Sequence, residues 1–164
     1  MATRLTCPKC RAEFVRRSSI AGTAERLMGK VRLLPFRCQA CGHRFRKFSP
    51  SSGDSKAERR EFMRVPTRLP ARFRGRDERG QGVVTDLSIA GARLYTGARI
   101  GPGELLQLTI QNPGARGSLA VDVVVVRNAN PMRLGLAFIE MKPEEKRRLG
   151  ELVQYRLGAR LNPS

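Results

Sequence analysis

The chain has 164 residues, of which 40% are hydrophobic and 28% are charged, a composition that excludes a wholly disordered protein. Its formal net charge of +18 predicts an anionic partner such as nucleic acid, a nucleotide or an anionic lipid surface. Aromatic residues make up only 5%, which argues against extended single-strand binding by stacked rings. No apolar run approaches the ~20 residues of a membrane span and no signal peptide opens the chain, so we expect no membrane span and a cytoplasmic location.

The basic residues are concentrated near the N-terminus. Residues 1–50 contain 12 basic and 2 acidic residues, and Arg outnumbers Lys by 26 to 6 in the whole chain. Guanidinium groups suit phosphates and guanine edges, although a codon bias toward Arg would explain the same excess.

The four cysteines form two pairs, Cys7-Pro-Lys-Cys10 and Cys38-Gln-Ala-Cys41. Two-residue spacing lets both sulfurs of a pair face one ion, and four thiolates make a closed structural zinc site. We therefore predict that Cys7, Cys10, Cys38 and Cys41 bind Zn²⁺, with iron as a metal that suits the same ligands. A disulfide pair and ligation by His43 are the alternatives, both less expected for a complete cysteine set in a cytosolic protein.

Residues 1–48 are predicted to form a zinc ribbon. Gly42 follows the last cysteine and permits the positive φ of a tight turn, and residues 24–28 suggest a short helical turn. Four aromatic rings are candidates for a small apolar cover: Phe14, Phe36, Phe45 and Phe48. Because such a module buries little surface, metal binding is expected to supply most of its folding free energy.

Residues 49–57 have the composition of a linker, and residues 58–164 are predicted to form a second, mainly β domain. Short alternating segments separated by tight turns predict an antiparallel barrel or sandwich of six strands. These strands are placed at residues 71–75, 82–87, 91–96, 105–110, 119–126 and 133–139. A C-terminal helix from Pro143 carries one apolar face, formed by Leu149, Leu152, Val153 and Leu157.

Two clusters bracket the first strands of this domain. They are Glu58-Arg59-Arg60-Glu61-Phe62-Met63-Arg64 and Asp86-Leu87-Ser88-Ile89-Ala90-Gly91, with 21 residues between Arg64 and Asp86. The order RxxxR, strand, DxSxxG resembles the PilZ domain, a six-stranded β-barrel that binds cyclic di-GMP in bacteria. The resemblance covers about residues 58–157 and includes Gly135-Leu-Ala-Phe138 before the terminal helix.

The resemblance implies five ligand contacts: Arg60, Arg64, Asp86, Ser88 and Gly91. Arg59 resembles a residue of members that bind an intercalated ligand dimer. The residue types suit the ligand, since an Arg fork matches guanine O6 and N7 and a carboxylate accepts from the guanine N–H edge. The simpler alternative is that RxxxR reflects abundant Arg, and that DxSxxG is a turn with Asp and Ser caps and a Gly of unusual φ.

We therefore predict a cytosolic bacterial receptor for cyclic di-GMP that is not an enzyme, because no nucleophile–base pair is evident and the metal site is closed. Ligand binding is expected to order the arginine segment and so to change the placement of the ribbon relative to the barrel. Two alternatives stay open. The basic ribbon binds DNA or RNA, with Phe45 and Phe48 as stacking faces, or it serves as a protein–protein adaptor.

Overall fold

The computed structural model describes residues 5–20, 22–49, 61–112 and 117–161. The chain divides into two compact units, Met1–Met63 and Arg64–Ser164. Glu61, Phe62 and Met63 belong to the first of these units. Residues 50–60 lie outside the described part of the chain, so the predicted linker at 49–57 and the domain start at 58 stay predictions.

The first unit is a small three-stranded antiparallel sheet with one helix. Its elements are β1 (Val15–Arg17), α1 (Gly22–Lys30), β2 (Leu33–Cys38) and β3 (Arg44–Phe48), and the strand order is β1-β2-β3. The predicted helical turn is confirmed and is longer than expected. The carboxylate of Glu25 in α1 is buried and pairs with Arg44 at 2.8 Å and Arg46 at 3.0 Å, which ties the helix to β3.

The core of the first unit surrounds the cysteines. Cys7, Ala12, Cys38 and Ala40 are buried there, and Phe45 packs against them. The expectation that Phe48 covers this core is wrong, because its side chain is 62% exposed. Phe48 pairs with Leu33 at the end of the sheet farthest from Cys38, so its ring cannot reach the cysteine core.

The second unit is a closed barrel of six strands. They are β4 (Val65–Arg74), β5 (Arg79–Ser88), β6 (Gly91–Tyr95), β7 (Leu105–Ile110), β8 (Leu119–Asn130) and β9 (Arg133–Glu140). Their order around the barrel is β4-β5-β6-β9-β8-β7, and every neighbouring pair is antiparallel. The prediction of a mainly β fold with six antiparallel strands is confirmed. Of the barrel and the sandwich that the sequence allowed, the structure has the barrel.

Several strands extend beyond their predicted bounds, among them β4 and β8. β4 begins at Val65, ahead of the predicted start at residue 71, and contains Pro66 and Pro70. Its pairing with β7 starts only at Ala71, so the missing N–H groups of Pro66 and Pro70 interrupt no pair between these two strands. β8 runs past its predicted end at residue 126 to Asn130, and the turn that follows contains Met132, with a φ of +61°.

A helix, α2 (Pro143–Leu161), packs against β8 and β4. Leu149, Val153 and Leu157 are buried at successive i, i+4 positions, which confirms the predicted apolar face, while Leu152 is half-buried. Within the described ranges, no helix is both long enough and apolar enough to cross a bilayer.

Candidate functional site

The four cysteine sulfurs form one compact cluster. Cys7 Sγ lies 3.7 Å from Cys41 Sγ, Cys10 Sγ lies 3.5 Å from Cys38 Sγ, and all four sulfurs lie within 4.8 Å of one another. A tetrahedral zinc ion with Zn–S bonds of about 2.3 Å places its sulfurs about 3.8 Å apart. Disulfide sulfurs lie about 2.05 Å apart, and all four cysteines are free. The donor set and its spacing therefore fit one structural metal ion, as the sequence predicted.

Each cysteine pair lies on a tight turn. The residue directly after the second cysteine of each pair has a left-handed backbone conformation, with a positive φ. Gly42 has a φ of +74°, which confirms its predicted role, and Arg11 occupies the corresponding position of the first turn with a φ of +59°. The Ala40 N–H donates to Cys38 Sγ at 3.4 Å, and the Gly42 N–H donates to the Cys38 carbonyl at 3.1 Å. These turns direct the four sulfurs toward one point.

Burial raises the pKa of the Cys38 and Cys41 thiols. Burial also acts to raise the pKa of Cys7, but hydrogen bonds, chiefly from the backbone N–H groups of Cys10 and Lys9, bring that pKa below its ordinary value. Four thiolates this close together repel one another, so the cluster needs a cation to be fully deprotonated. A bound metal would supply that charge and displace the protons.

His43 does not belong to the metal-ligating group found among the described residues. Its ring instead stacks on the ring of Phe45, with centroids 6.0 Å apart and an interplanar angle of 13°. The metal-ligating group therefore consists of the four cysteines predicted from the sequence and does not include His43.

The second candidate site lies where β4 begins and β5 ends. In the antiparallel register, Val65 faces Leu87 and Pro66 faces Asp86. Continued by one residue, this register places Arg64 opposite Ser88. Arg64 and Asp86, predicted from separate motifs, thus flank one end of the same strand pair. Arg59 and Arg60 lie outside the described residues.

Ser88 and Gly91 form the connection from β5 to β6. Ser88 is buried, and its hydroxyl donates to the Gly91 carbonyl at 3.2 Å and accepts from the Ala90 N–H at 3.4 Å. The alternative that Gly91 supplies an unusual φ is wrong, since its φ is not positive. A Cβ at Gly91 would collide with the carbonyl oxygen of Leu136, so this glycine allows β9 to approach closely.

Asp86 does not cap the turn but forms an ion pair across the strands. Its Oδ2 lies 2.8 Å from Arg93 Nη1, and the two residues face each other in β5 and β6. Both side chains are partly exposed to solvent, 25% for Asp86 and 39% for Arg93.

Sequence reasoning missed Arg93. The available signal was its position two residues after Gly91, which puts both on one face of β6.

Beside Arg93 the outer face of the barrel carries mostly small side chains. Gly91 pairs with Ala137 and Arg93 pairs with Gly135, so three of these four neighbouring positions carry a methyl group or no side chain. The side chain of Asn128 lies against Gly135 and borders this floor on the side of β8. Ala92 and Leu94, the alternate residues of β6, point into the core, which places this floor on the outer face. The arrangement suits a planar base lying on the floor while charged side chains at its border address the base edges and phosphates.

Solved structures of other proteins share the fold. The Bacillus subtilis inhibitor of motility (MotI/DgrA) is 18% identical with a TM-score of 0.54, and the match covers 79% of this chain and 66% of that one. MrkH of K. pneumonia in its apo state is 13% identical with a TM-score of 0.56, and the match covers 80% of this chain and 74% of that one. At these identities the likeness concerns the fold alone.

A search of curated proteins found no match. The family model described as "PilZ domain" matches residues 58–155, a span that contains both arginine and DxSxxG clusters and all six barrel strands. That span is more than half of the chain. Taken with the closed barrel, it shows that the chain belongs to the PilZ domain family.

Proposed function

We propose that this protein is a cytoplasmic bacterial receptor for cyclic di-GMP, and that it acts by binding rather than by catalysis. The observation that carries the proposal is the grouping of Arg64, Asp86, Ser88 and Arg93 around a floor of small residues at one end of the barrel strands. Membership of the PilZ family supports the same ligand.

In this proposal each residue has a defined role. Arg64, together with Arg60 and Arg59, contacts the guanine O6 and N7 acceptors or the phosphates with its guanidinium fork. Asp86, oriented by Arg93, accepts hydrogen bonds from the N1–H and N2–H₂ edge of a guanine. Ser88 holds the turn and offers its hydroxyl to the ligand, and Gly91, at the end of the same turn, lets β9 lie close beside it.

Calorimetric titration with cyclic di-GMP tests the proposal. The wild type is expected to bind with a Kd near micromolar or tighter, about 8 kcal/mol. Replacing Arg60, Arg64 or Ser88 by Ala should each remove at least about 1 kcal/mol, the scale of one hydrogen bond to a charged group. Arg68→Ala is the matched control, because Arg68 is an exposed arginine of β4 only four residues from Arg64. No heat from the wild type, or an equal loss in Arg68→Ala, would refute the proposal.

We also propose that the metal of the ribbon is Zn²⁺ and that ligand binding changes the placement of the ribbon relative to the barrel. The cysteine geometry supports a structural zinc ion. The arginine segment joins the two units, so ordering it on a ligand would restrict their relative motion. Small-angle X-ray scattering should show a changed distance distribution on saturation with cyclic di-GMP. Superimposable profiles would contradict the switch.

A nucleic-acid-binding ribbon is the second candidate, and the exposure of Phe48 favours it. This ring is free to stack on a base, and the neighbouring Lys47 is exposed as well. Against it, Arg44 and Arg46 are both engaged by Glu25. Fluorescence anisotropy with single-stranded DNA at increasing salt tests the idea. Phe48→Ala should weaken binding, and salt-independent or absent binding would exclude it.

A protein–protein adaptor is favoured by apolar side chains exposed around the end of α1. Leu27 is 67% exposed and Val31 is 66% exposed. Capture of one discrete partner that survives nuclease treatment and is lost in Leu27→Asp would support this role. Capture that nuclease abolishes would favour the nucleic-acid candidate.

A further inference from the structure

The side chain of Gln39 joins the metal site to the arginine motif. Gln39 lies between two metal-ligating cysteines, in Cys38-Gln-Ala-Cys41, and is only 2% exposed. Its Nε2 donates to the Glu61 carbonyl at 3.3 Å, and its Oε1 accepts from the Met63 N–H at 2.7 Å. One amide thus satisfies a backbone acceptor and a backbone donor two residues apart.

A second ribbon residue holds the same segment. Arg37 forms an ion pair with the Glu61 carboxylate, and its guanidinium carbon lies 5.4 Å from the centroid of the Phe62 ring. It also donates to the Gly42 carbonyl at 3.4 Å, at the end of the second cysteine turn. Arg37 and Gln39 flank Cys38, so both depend on the turn that Cys38 and Cys41 form.

The segment they hold is the interior of the RxxxR motif. Glu61, Phe62 and Met63 are the three residues between Arg60 and Arg64. The backbone of these three residues leads directly into Arg64, so holding it limits the conformations open to that arginine. A ribbon that fixes this path leaves less conformational entropy to be lost when a ligand binds.

We propose that Gln39, assisted by Arg37, is a positioning residue for the cyclic di-GMP site, and that metal occupancy of the cysteine cluster and ligand affinity are thereby coupled. The inference rests on the proposed function. Folding of the cysteine turn depends on the metal, so metal binding orders the segment that carries the arginines. By linkage, the ligand must then strengthen metal retention by the same factor.

The test measures both sides of the coupling in the full-length zinc-loaded protein. Gln39→Ala should weaken cyclic di-GMP binding about tenfold, within the usual range of coupling between sites. Saturating cyclic di-GMP should slow zinc transfer from the wild type to the chelator 4-(2-pyridylazo)resorcinol, and this slowing should vanish in Gln39→Ala. Hydrogen exchange should show the Met63 amide protected in the wild type and exposed in the variant.

Arg46→Ala is the matched control, because it removes a ribbon arginine that pairs with Glu25 and not with Glu61. It should leave ligand affinity and the effect of ligand on zinc release unchanged. If Gln39→Ala loses its zinc before titration, Arg37→Ala replaces it, since that change keeps Gln39 and all four cysteines.

The outcomes separate the two proposals. A wild type that binds no cyclic di-GMP overturns the proposed function and this inference together. A wild type that binds, with unchanged affinity and unchanged ligand-slowed zinc release in both Gln39→Ala and Arg37→Ala, overturns only the inference. Equal losses in Arg46→Ala would also overturn it, because the effect would then be general to the ribbon.

Discussion

At Gly91 the absence of a side chain is a packing requirement. A Cβ there would meet the Leu136 carbonyl oxygen, whereas a Cβ at Gly97 would meet nothing within 4 Å. Neither glycine has a positive φ. We expect Gly91→Ala to destabilise the barrel by about 1–3 kcal/mol, the usual effect of overpacking, and Gly97→Ala to change it little. Thermal denaturation of both variants checks this, and equal melting temperatures would show that β9 moves aside freely.

The two cysteine turns differ in how well their sequence suits their backbone. Arg11 and Gly42 share the left-handed conformation, but only glycine adopts it without strain. Arg11→Gly should therefore stabilise the metal-bound ribbon or leave it unchanged, and Gly42→Ala should destabilise it by about 1 kcal/mol. Competition with a chelator measures the zinc affinity of both variants. Weaker zinc retention in Arg11→Gly than in Gly42→Ala would contradict the argument that the left-handed backbone strains Arg11 and suits Gly42.

At the residue scale, the sequence could predict a side chain only where its role follows from local spacing. The cysteine pairs and the cluster from Asp86 to Gly91 are of this kind, and the structure brings the members of each together. The roles of Arg93 and Gln39 depend on partners that are distant along the chain or across a strand pair, which no local pattern specifies. Phe48 was misassigned because hydrophobicity alone does not give the distance to a core.

Among the elements, β4 shows why strand boundaries were harder to predict than strands. Alternating burial along all ten of its residues identifies it clearly in the structure. The strand predicted from the sequence starts only at residue 71 and omits Pro66 and Pro70. Whether a proline breaks a strand depends on which neighbour needs its missing N–H. That neighbour, β7, is remote in sequence.

Helix α2 is expected to be part of the folding unit of the barrel. Leu149 and Val153 are fully buried against it, while Tyr155 on the same helix is 74% exposed. Leu149→Ala should cost about 2–4 kcal/mol of unfolding free energy, the range for a buried leucine, and Tyr155→Ala should cost less than about 0.5 kcal/mol. Urea denaturation of the two variants distinguishes them. A neutral Leu149→Ala would mean that the helix adds no stability to the barrel.

For the molecule as a whole, the two units should respond differently to metal removal. The barrel has its own extensive core, whereas the ribbon core is little more than its cysteines. A chelator should therefore abolish the ordered ribbon amide signals and leave the melting temperature of the barrel unchanged. Collapse of both units on chelation would contradict their independence.

Zinc affinity should depend on pH with a definite sign. The raised pKa values of Cys38 and Cys41 mean that these thiols hold protons which zinc must displace. Affinity should therefore rise with pH and fall on acidification, by about tenfold per pH unit for each proton released. Competition with a chelator of known affinity, repeated across neutral pH, measures the slope. A flat profile would exclude thiolate ligation of the metal.

The central claim is that cyclic di-GMP binds the outer face where β4 begins and β5 turns into β6. Titration of ¹⁵N-labelled protein with cyclic di-GMP tests it most directly. The account predicts that the amides of Arg64 and of residues 86–93 shift most strongly. Shifts confined to the cavity lined by Gly97–Gly101 and Ala129–Met132, beyond the opposite end of β6, or no shifts at saturating ligand, would contradict it.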